Sequence, residues 1–535
     1  MFSKIALPGP ALSGKAHQVV TPERERRAMS EYIQCEQDVK YSDSLLDPQY
    51  LEDFQRIGNV LFGGAFDAIE SHLSCHRLIP KHGPGAVADK LSSNAKWNQR
   101  TWTTRLQSVF PAADYLVSSP NVKLDIEAPS CYSESATAHC YQTGVVIEVD
   151  VFEPEAEVPV RVISVPKTLK APRIIAIEPT CMQYMQQALF ALVRDCIEKD
   201  DFLSTVIGID DQDPNRIMAQ MGSLSGDLAT LDLSEASDRV SNQHVRALMS
   251  NHPLLLEAVQ ATRSRKADVP GFGVVRLAKF ASMGSALCFP IEAMVFLTVC
   301  FLGIEQELSS PLCPDTVHRY RRRVRIFGDD IIVPREHVLS VVDALSAFGH
   351  KVNISKSFWT GRFRESCGRE YYEGHDVSIV KVRQCLPTQR QDATGVISAV
   401  SLRNQLYWAG LWRSAGWMDD YLGKLLKFFP NVAPTSPVLG RESVLGYQFQ
   451  TLDPYTHSPL VKGYKVHAKP PRDFLDGDGA LLKCLLRATT LQSGHLIAGE
   501  ALRTQFDVAS VDDEHLERSG RPEHVNIKLG NGSPF

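Results

Sequence analysis

The run Ile326–Ile332, IFGDDII, sets two adjacent carboxylates, Asp329 and Asp330, at the tip of a hairpin with apolar arms. Two acids side by side repel, so a turn that keeps both is poorly built unless a cation sits there. Gly-Asp is also ordinary turn chemistry, and a lone Gly-Asp-Asp supports that plainer reading first. A third acid, Asp232 in LDLSEASD, ends a short strand on the kind of sheet edge where the hairpin turn can meet it. Three oxygen-donating acids from two adjacent strands can hold two magnesium ions about 4 Å apart, the arrangement used for in-line displacement at phosphorus. Asp232 and Asp329 are read as metal ligands, and Asp330 as a ligand or as an acid just behind them. Asp238, further along the same segment, either joins this chemistry or is a first-turn helix charge.

Two further segments carry groups that suit a phosphate-bearing substrate. Val158 to Ile177 contains Arg161, Lys167, Lys170 and Arg173 and no acid. Such a local excess of positive charge clamps a triphosphate or a template backbone, or else guards an exposed hairpin edge. The run HRYRRRVR, His318 to Arg325, leads into the Gly-Asp-Asp hairpin and reads as a solvated loop end near any bound nucleic acid. In KFASMGSALCFP the small residues Ser282, Gly284 and Ser285 precede an apolar helix. A loop of this kind lets backbone approach a ribose or base, and its hydroxyls can report on a 2'-OH; a plain N-cap is the alternative.

The elements that must position these groups follow from hydrophobic periodicity. VPVRVISV and APRIIAI flank a turn-like KTLKAP and read as paired strands, after which Pro179 opens a helix with Met182, Met185, Leu189 and Val193 on one face. Asp227 to Leu233 reads as a strand, with Ser234 as the N-cap of a following helix. Thr262 to Gly273 reads as a basic loop, Arg323 to Phe327 and Ile331 to Val333 as a strand pair, Pro334 as a helix start, Gly349 as its stop and Lys351 to Phe358 as a strand. The order gives an α+β fold, an antiparallel-containing sheet backed by helices on one face. Leu124 to Glu134 reads as irregular, Phe429 to Leu439 as a linker, and the polar stretch from Phe506 onward as a mobile tail.

Bulk properties bound the class. The 535 residues suffice for three or four domains, and 44% hydrophobic with 22% charged residues is ordinary globular usage, which excludes collagen-like, disordered and low-complexity chains. A net charge of -5 excludes a histone-like polycation, so any nucleic-acid partner is held by a local basic surface. The 12 cysteines show no CxxC pair and read as reduced, mostly buried thiols. The first residues, MFSKIALPGPALSGKAHQVVTPERERR, hold no long apolar region, so export is not expected. Ala286 to Ile304 imitates a membrane span, but Pro290 and Glu292 interrupt it, and a buried core helix is expected instead.

The order DLSEASD, SMGSALCFP, FGDD, NISKSF and RESCGREYY, with VPKTLKAPRIIAIEP and KHGPGAVAD upstream, resembles the RNA-directed RNA polymerase (replicase beta subunit) of the small single-stranded RNA bacteriophages, the Qbeta and MS2 group. The likeness runs in order from about residue 80 to 385. It implies a right-hand fold: N-terminal region and fingers over 1–224, palm over 225–385 with Asp232, Asp329 and Asp330 as the magnesium site, and thumb with the tail over 386–535. By the same carry-over Lys167 and Arg173 contact the incoming triphosphate, Ser282, Gly284 and Ser285 help select ribonucleotides, and Lys356 lies beside the pyrophosphate leaving group. Two Mg²⁺ ions are implied as cofactors, with Mn²⁺ able to substitute. RNA template, NTPs, host elongation factors Tu and Ts and ribosomal protein S1 are implied as partners, and the cytoplasm of the infected bacterium as the place. The sequence departs from the family where phenylalanine replaces the tyrosine many relatives have before Gly328, where Asp238 stands six rather than five positions after Asp232, and where Ser285 replaces an asparagine common in close relatives. Rival readings are a metal-dependent nuclease, a DNA-templated polymerase, or an RNA-binding structural protein in which the acids are only turn residues.

Overall fold

Alternation along one strand orders the centre of the molecule. In Leu228–Ser234, Ala229, Leu231 and Leu233 are buried in the main hydrophobic core, so Asp232 points to the opposite face of the sheet. The structure is a computed structural model and describes residues 22–75, 78–83, 85–91, 93–118, 123–127, 146–165, 172–469, 475–495 and 524–535.

The N-terminal helices α1 (Pro22–Leu45) and α2 (Pro48–Cys75) are followed by strands β1 (Val160–Val165) and β2 (Arg173–Ile177) and by helix α3 (Thr180–Lys199). Then come β3 (Leu228–Ser234), β4 (Lys266–Val269), β5 (Gly273–Arg276), helix α4 (Cys288–Leu308), β6 (Arg325–Phe327), β7 (Asp330–Pro334), helix α5 (Val338–Ala347) and β8 (Lys351–Val352). The C-terminal part comprises helices α6 (Ala393–Trp408) and α7 (Trp412–Leu426), strand β9 (Pro459–Lys469), helix α8 (Gly477–His495) and strand β10 (His524–Gly532).

The central sheet has the order β8-β3-β7-β6 with every pair antiparallel, as the α+β reading requires. Behind it lies α4, apolar on all sides and buried from Cys288 to Ile304. It is long and apolar enough to cross a membrane, yet 89% of that stretch is buried inside the protein, so it is the expected core helix. Pro290 falls in its first turn, where a missing N–H costs nothing. At Gly303 α5 crosses so closely that a Cβ would stand 2.7 Å from the Ser340 carbonyl oxygen. A second, mixed sheet runs β2-β1-β4-β5, with the expected β1–β2 pair in register Val165↔Arg173. The C-terminal part has its own core, in which Val396 and Val400 of α6 meet Leu422 of α7, Tyr464 of β9 and Ile527 of β10. Helix α8 returns to the N-terminal region, where Lys483 donates to Asn94 at 3.1 Å and the Ser118 backbone N–H to Asp478 at 3.3 Å.

Several local expectations are corrected. Ser234 caps no helix: Glu235 adopts a positive φ of 54°, a short turn follows, and the helix Asn242–Leu248 begins after Ser241, whose hydroxyl accepts from the Gln243 N–H. The basic loop Thr262 to Gly273 contains β4 and runs into β5, because Lys266–Val269 finds a parallel partner in β1. Lys351 to Phe358 is not one strand; it breaks after Val352 into a 3-10 turn and rejoins β3 only where Phe358 and Thr230 exchange backbone hydrogen bonds. Lys123–Glu127, part of the stretch read as irregular, is a strand parallel to Val146–Phe152. In the stretch read as a linker, Val432 and Val438 are buried against Val461. Residues 524–532 of the expected mobile tail pair with nine of the eleven residues of β9, from Val461↔Gly532 to Lys469↔His524. Of the ten cysteines described, all free, four are buried and four exposed, so "mostly buried" was too strong.

Candidate active site

The register of β3 against β7 places Asp330 directly opposite Asp232. Cross-strand partners share a face with Cβ atoms roughly 5 Å apart. Asp329 is exposed in the two-residue loop that joins Phe327 to Asp330. Gly328 opens that loop at φ +57°, and a Cβ there would lie 2.5 Å from the Phe289 ring and 3.2 Å from Glu292 Oε1. Only glycine fits between the turn and the first turns of α4. Phe327 sets its ring edge-on to Phe289 at 5.1 Å, so the aromatic residue before the glycine packs inward while the acids stay at the sheet end.

The acids are held differently. Asp232 Oδ2 accepts from Asn353 Nδ2 at 2.9 Å and lies 3.7 Å from Lys356 Nζ. Burial raises the Asp232 carboxyl above the usual range, Lys356 opposes that, and Asp329 adds to it. Asp330 Oδ1 accepts from the Cys367 backbone N–H at 3.1 Å and from Ser366 Oγ at 3.4 Å. Burial pushes Asp330 up to about 6, the Cys367 N–H works against this, and the charges of Asp329 and Asp232 reinforce it. Among the described residues no three His, Cys, Asp or Glu side chains stand at metal-holding spacing. The donor set nevertheless suits magnesium, which binds through one or two carboxylates and fills its remaining positions with water and phosphate oxygens. Negative charge concentrated at one sheet end, with the Asp232 and Asp330 carboxyls raised by burial and by the neighbouring acids, is what a hard cation would relieve.

Of the remaining sequence candidates one touches this centre, and the others are located by their own neighbours. Lys356 is exposed and reaches Asp232, as above. Arg173 begins β2, three residues before Ala176, whose carbonyl oxygen would be 1.9 Å from a Cβ on Gly284. Gly284 therefore has to be glycine, at φ +138°, and the loop before α4 lies against β2. Lys167 lies outside the described residues, so only Arg173 of that pair is placed. The hydroxyls of Ser282 and Ser285 are both engaged within the protein: Ser282 Oγ bonds to the Tyr32 hydroxyl at 2.9 Å, and Ser285 Oγ donates to Gln186 Oε1 at 3.0 Å. Ser285 Oγ also accepts from the Leu287 N–H at 3.3 Å, close to the cap-like alternative. The basic run before β6 is not uniformly solvated, for Arg325 is buried and donates to Asn215 Oδ1 at 2.8 Å and to the Thr205 carbonyl at 2.7 Å.

Two features escaped the sequence. Glu292 is buried beside the Gly328 turn, its carboxyl raised well above the ordinary range first by burial and then by Asp329 and Asp238. The single acid within the apolar stretch Ala286 to Ile304 is its signal, which in the sequence reads only as an interruption of a membrane span. Asp238 meets a fully buried lysine, Lys279, at 3.0 Å. Nothing in the local sequence around Asp238 announces that partner.

A family model described as RNA replicase, beta-chain, matches residues 115–400, more than half of the chain. The RNA-directed RNA polymerase subunit beta of Qbeta virus (strain MX1) is 31% identical over 256 residues, 47% of this chain and 40% of that protein. The subunit of the same description from Enterobacteria phage SP is 31% identical over 379 residues, 68% of this chain and 59% of the relative. The match to these relatives thus spans about half of their length. A solved structure described as an RdRp complex shares 10% identity at a TM-score of 0.40, covering 76% of this chain and 36% of the other. That likeness is too loose to bear on the fold, which rests on the strand pairing itself.

Proposed function

Because the chain belongs to the RNA replicase beta-chain family, we propose that it is an RNA-directed RNA polymerase, transferring a nucleoside monophosphate from an NTP to an RNA 3'-OH on an RNA template. The observation that carries this reading is the direct opposition of Asp232 and Asp330 across β3 and β7, with Asp329 exposed in the turn beside them. On this reading the central sheet and its helices form a palm over 225–385, with fingers in 1–224 and a thumb in 386–535.

In the proposed reaction Asp232 and Asp329 hold Mg²⁺, with Asp330 beside them. Magnesium bound there would lower the pKa of the 3'-OH and offset charge on the leaving pyrophosphate. The chain's own groups supply the rest. Asn353 and Lys356 orient the Asp232 carboxylate. Lys356, exposed and with its ammonium 3.7 Å from Asp232, protonates the leaving pyrophosphate. Arg173 on β2, together with Lys167 six positions earlier in the sequence, grips the triphosphate. The Ser282–Ser285 loop lines the side of the site towards β2. Host elongation factors Tu and Ts and ribosomal protein S1 are the proposed partners, in the cytoplasm of an infected bacterium.

The test is a primer-free extension assay on several RNA templates with labelled NTPs or dNTPs, with and without the bacterial factors. Template-dependent incorporation of NTPs is expected. Degradation of the RNA, or incorporation directed only by DNA, overturns the reading in favour of a nuclease or a DNA-templated enzyme.

A further inference from the structure

Helix α1 sends side chains into the interior, where they meet the loop that leads into α4. The Tyr32 hydroxyl and Ser282 Oγ are 2.9 Å apart in a buried hydrogen bond. Lys279 is fully enclosed, its ammonium 3.4 Å from the centre of the Tyr32 ring, 3.0 Å from Asp238 Oδ1 and 3.5 Å from Glu36. Tyr32 and Glu36 are one turn apart on α1 and so share a face. Glu36 also accepts from the Ala278 N–H at 2.7 Å. One buried cation thus ties together α1, the segment after β3 and the approach to α4.

A buried ammonium must keep its partners, so this network has few alternative arrangements and fixes positions as well as stabilising them. Burial alone would lower Lys279; Asp238, Tyr32 and Glu36 outweigh it, and the group stays charged. Burial likewise holds the Tyr32 phenol above its ordinary range. The far end of the loop is pinned as well, by Ser285 on Gln186 and by the Ala176 N–H on the Met283 carbonyl at 2.9 Å. Between the two pins, Met283 and Gly284 are exposed. They stand on the side of β2, while Phe289 and Glu292, in the first turns of the helix that follows, flank the Gly328 turn.

We infer that Tyr32 and Lys279 are positioning residues for sugar selection: by holding Ser282 and Asp238 they fix the exposed Met283–Gly284 backbone as one wall of the nucleotide site. The wall distinguishes a ribonucleoside triphosphate from its 2'-deoxy analogue because its distance from the sugar cannot relax. This rests on the polymerase reading above and adds α1, far away in sequence, to the selecting apparatus.

The experiment compares kcat/KM for ATP and 2'-deoxyATP, using the full chain on an RNA template. Tyr32→Phe keeps the ring beneath Lys279 and removes only the hydroxyl. The expected result is a fall of about tenfold in the ATP/dATP ratio, the size of one lost hydrogen bond. It is carried by a higher KM for ATP with kcat nearly unchanged and thermal stability little altered. Ser282→Ala should give the same fall and the double variant no further one, since both delete a single bond. A Tyr32→Phe ratio equal to wild type overturns the inference, whatever happens to stability, and leaves the polymerase reading intact. A wild-type chain that incorporates neither nucleotide overturns that reading and the inference with it.

Discussion

Two charged clusters flank the start of α4, and they are built on opposite plans. At the sheet end Asp232, Asp329 and Asp330 crowd together with one exposed lysine near them, and the Asp232 and Asp330 carboxyls are both pushed upward. On the other side Lys279 is sealed from water with Asp238, Glu36 and the Tyr32 ring around it. The inner cluster surrounds its one buried cation with two carboxylates and a ring face and serves as a brace. The outer one leaves negative charge unbalanced where solvent and substrate can reach it, which is where a cation and a phosphate chain belong. Unbalanced charge at an accessible sheet end, more than the number of acids, separates the site from its scaffold.

Substitutions that exchange these characters should have unequal effects. The largest is expected from Asp329→Asn, which should lower nucleotide incorporation by roughly a thousandfold while RNA binding, measured by filter retention, changes only a few fold. Retained incorporation would make the turn acids mere turn residues. In the brace, Lys279→Met leaves the buried Glu36 and the half-buried Asp238 without their cation and should cost about 3–5 kcal/mol in urea unfolding at neutral pH. A much smaller loss would mean that water already reaches them. Lys356→Ala should slow incorporation about a hundredfold; an unchanged rate would remove Lys356 from proton transfer.

The smallest effect concerns pH. Asp330 is raised to about 6 in the folded chain against an ordinary value of 3.8. Its protonated form is therefore favoured by folding, and the resulting stability, full below the unfolded value, is lost as pH rises through about 6. With chelator present, wild type should lose stability between pH 4 and pH 7 relative to Asp330→Asn, and urea midpoints across that range check it. Parallel curves would show that the acid is not strained by its neighbours.

The outer cluster was legible because its signals are local. Apolar alternation in β3 dictates the face that Asp232 takes, and a glycine at the turn fixes the hairpin that carries Asp329 and Asp330. The brace was not legible: Tyr32 and Ser282 are 250 positions apart, and each looks like an ordinary core or loop residue alone. Ser234 misled because a good cap followed by apolar spacing predicts a helix, whereas the chain first turns through Glu235 and uses Ser241 as its cap. Strand β10 was missed because polar, glycine-containing sequence hides a strand whose stability comes from nine backbone-paired positions along β9. The strand before Lys356 breaks just after Asn353, whose backbone N–H still donates to the Asp232 carbonyl at 2.8 Å while its side chain holds the Asp232 carboxylate, and the chain then turns at Ile354–Lys356.

The most direct test of the central claim is Mn²⁺ binding to the intact chain, followed by the loss of the free-ion EPR signal, in wild type, Asp232→Ala and Asp329→Ala. Shared coordination predicts binding by wild type and a loss of at least about tenfold in affinity for each variant. Equal binding by all three proteins would contradict it.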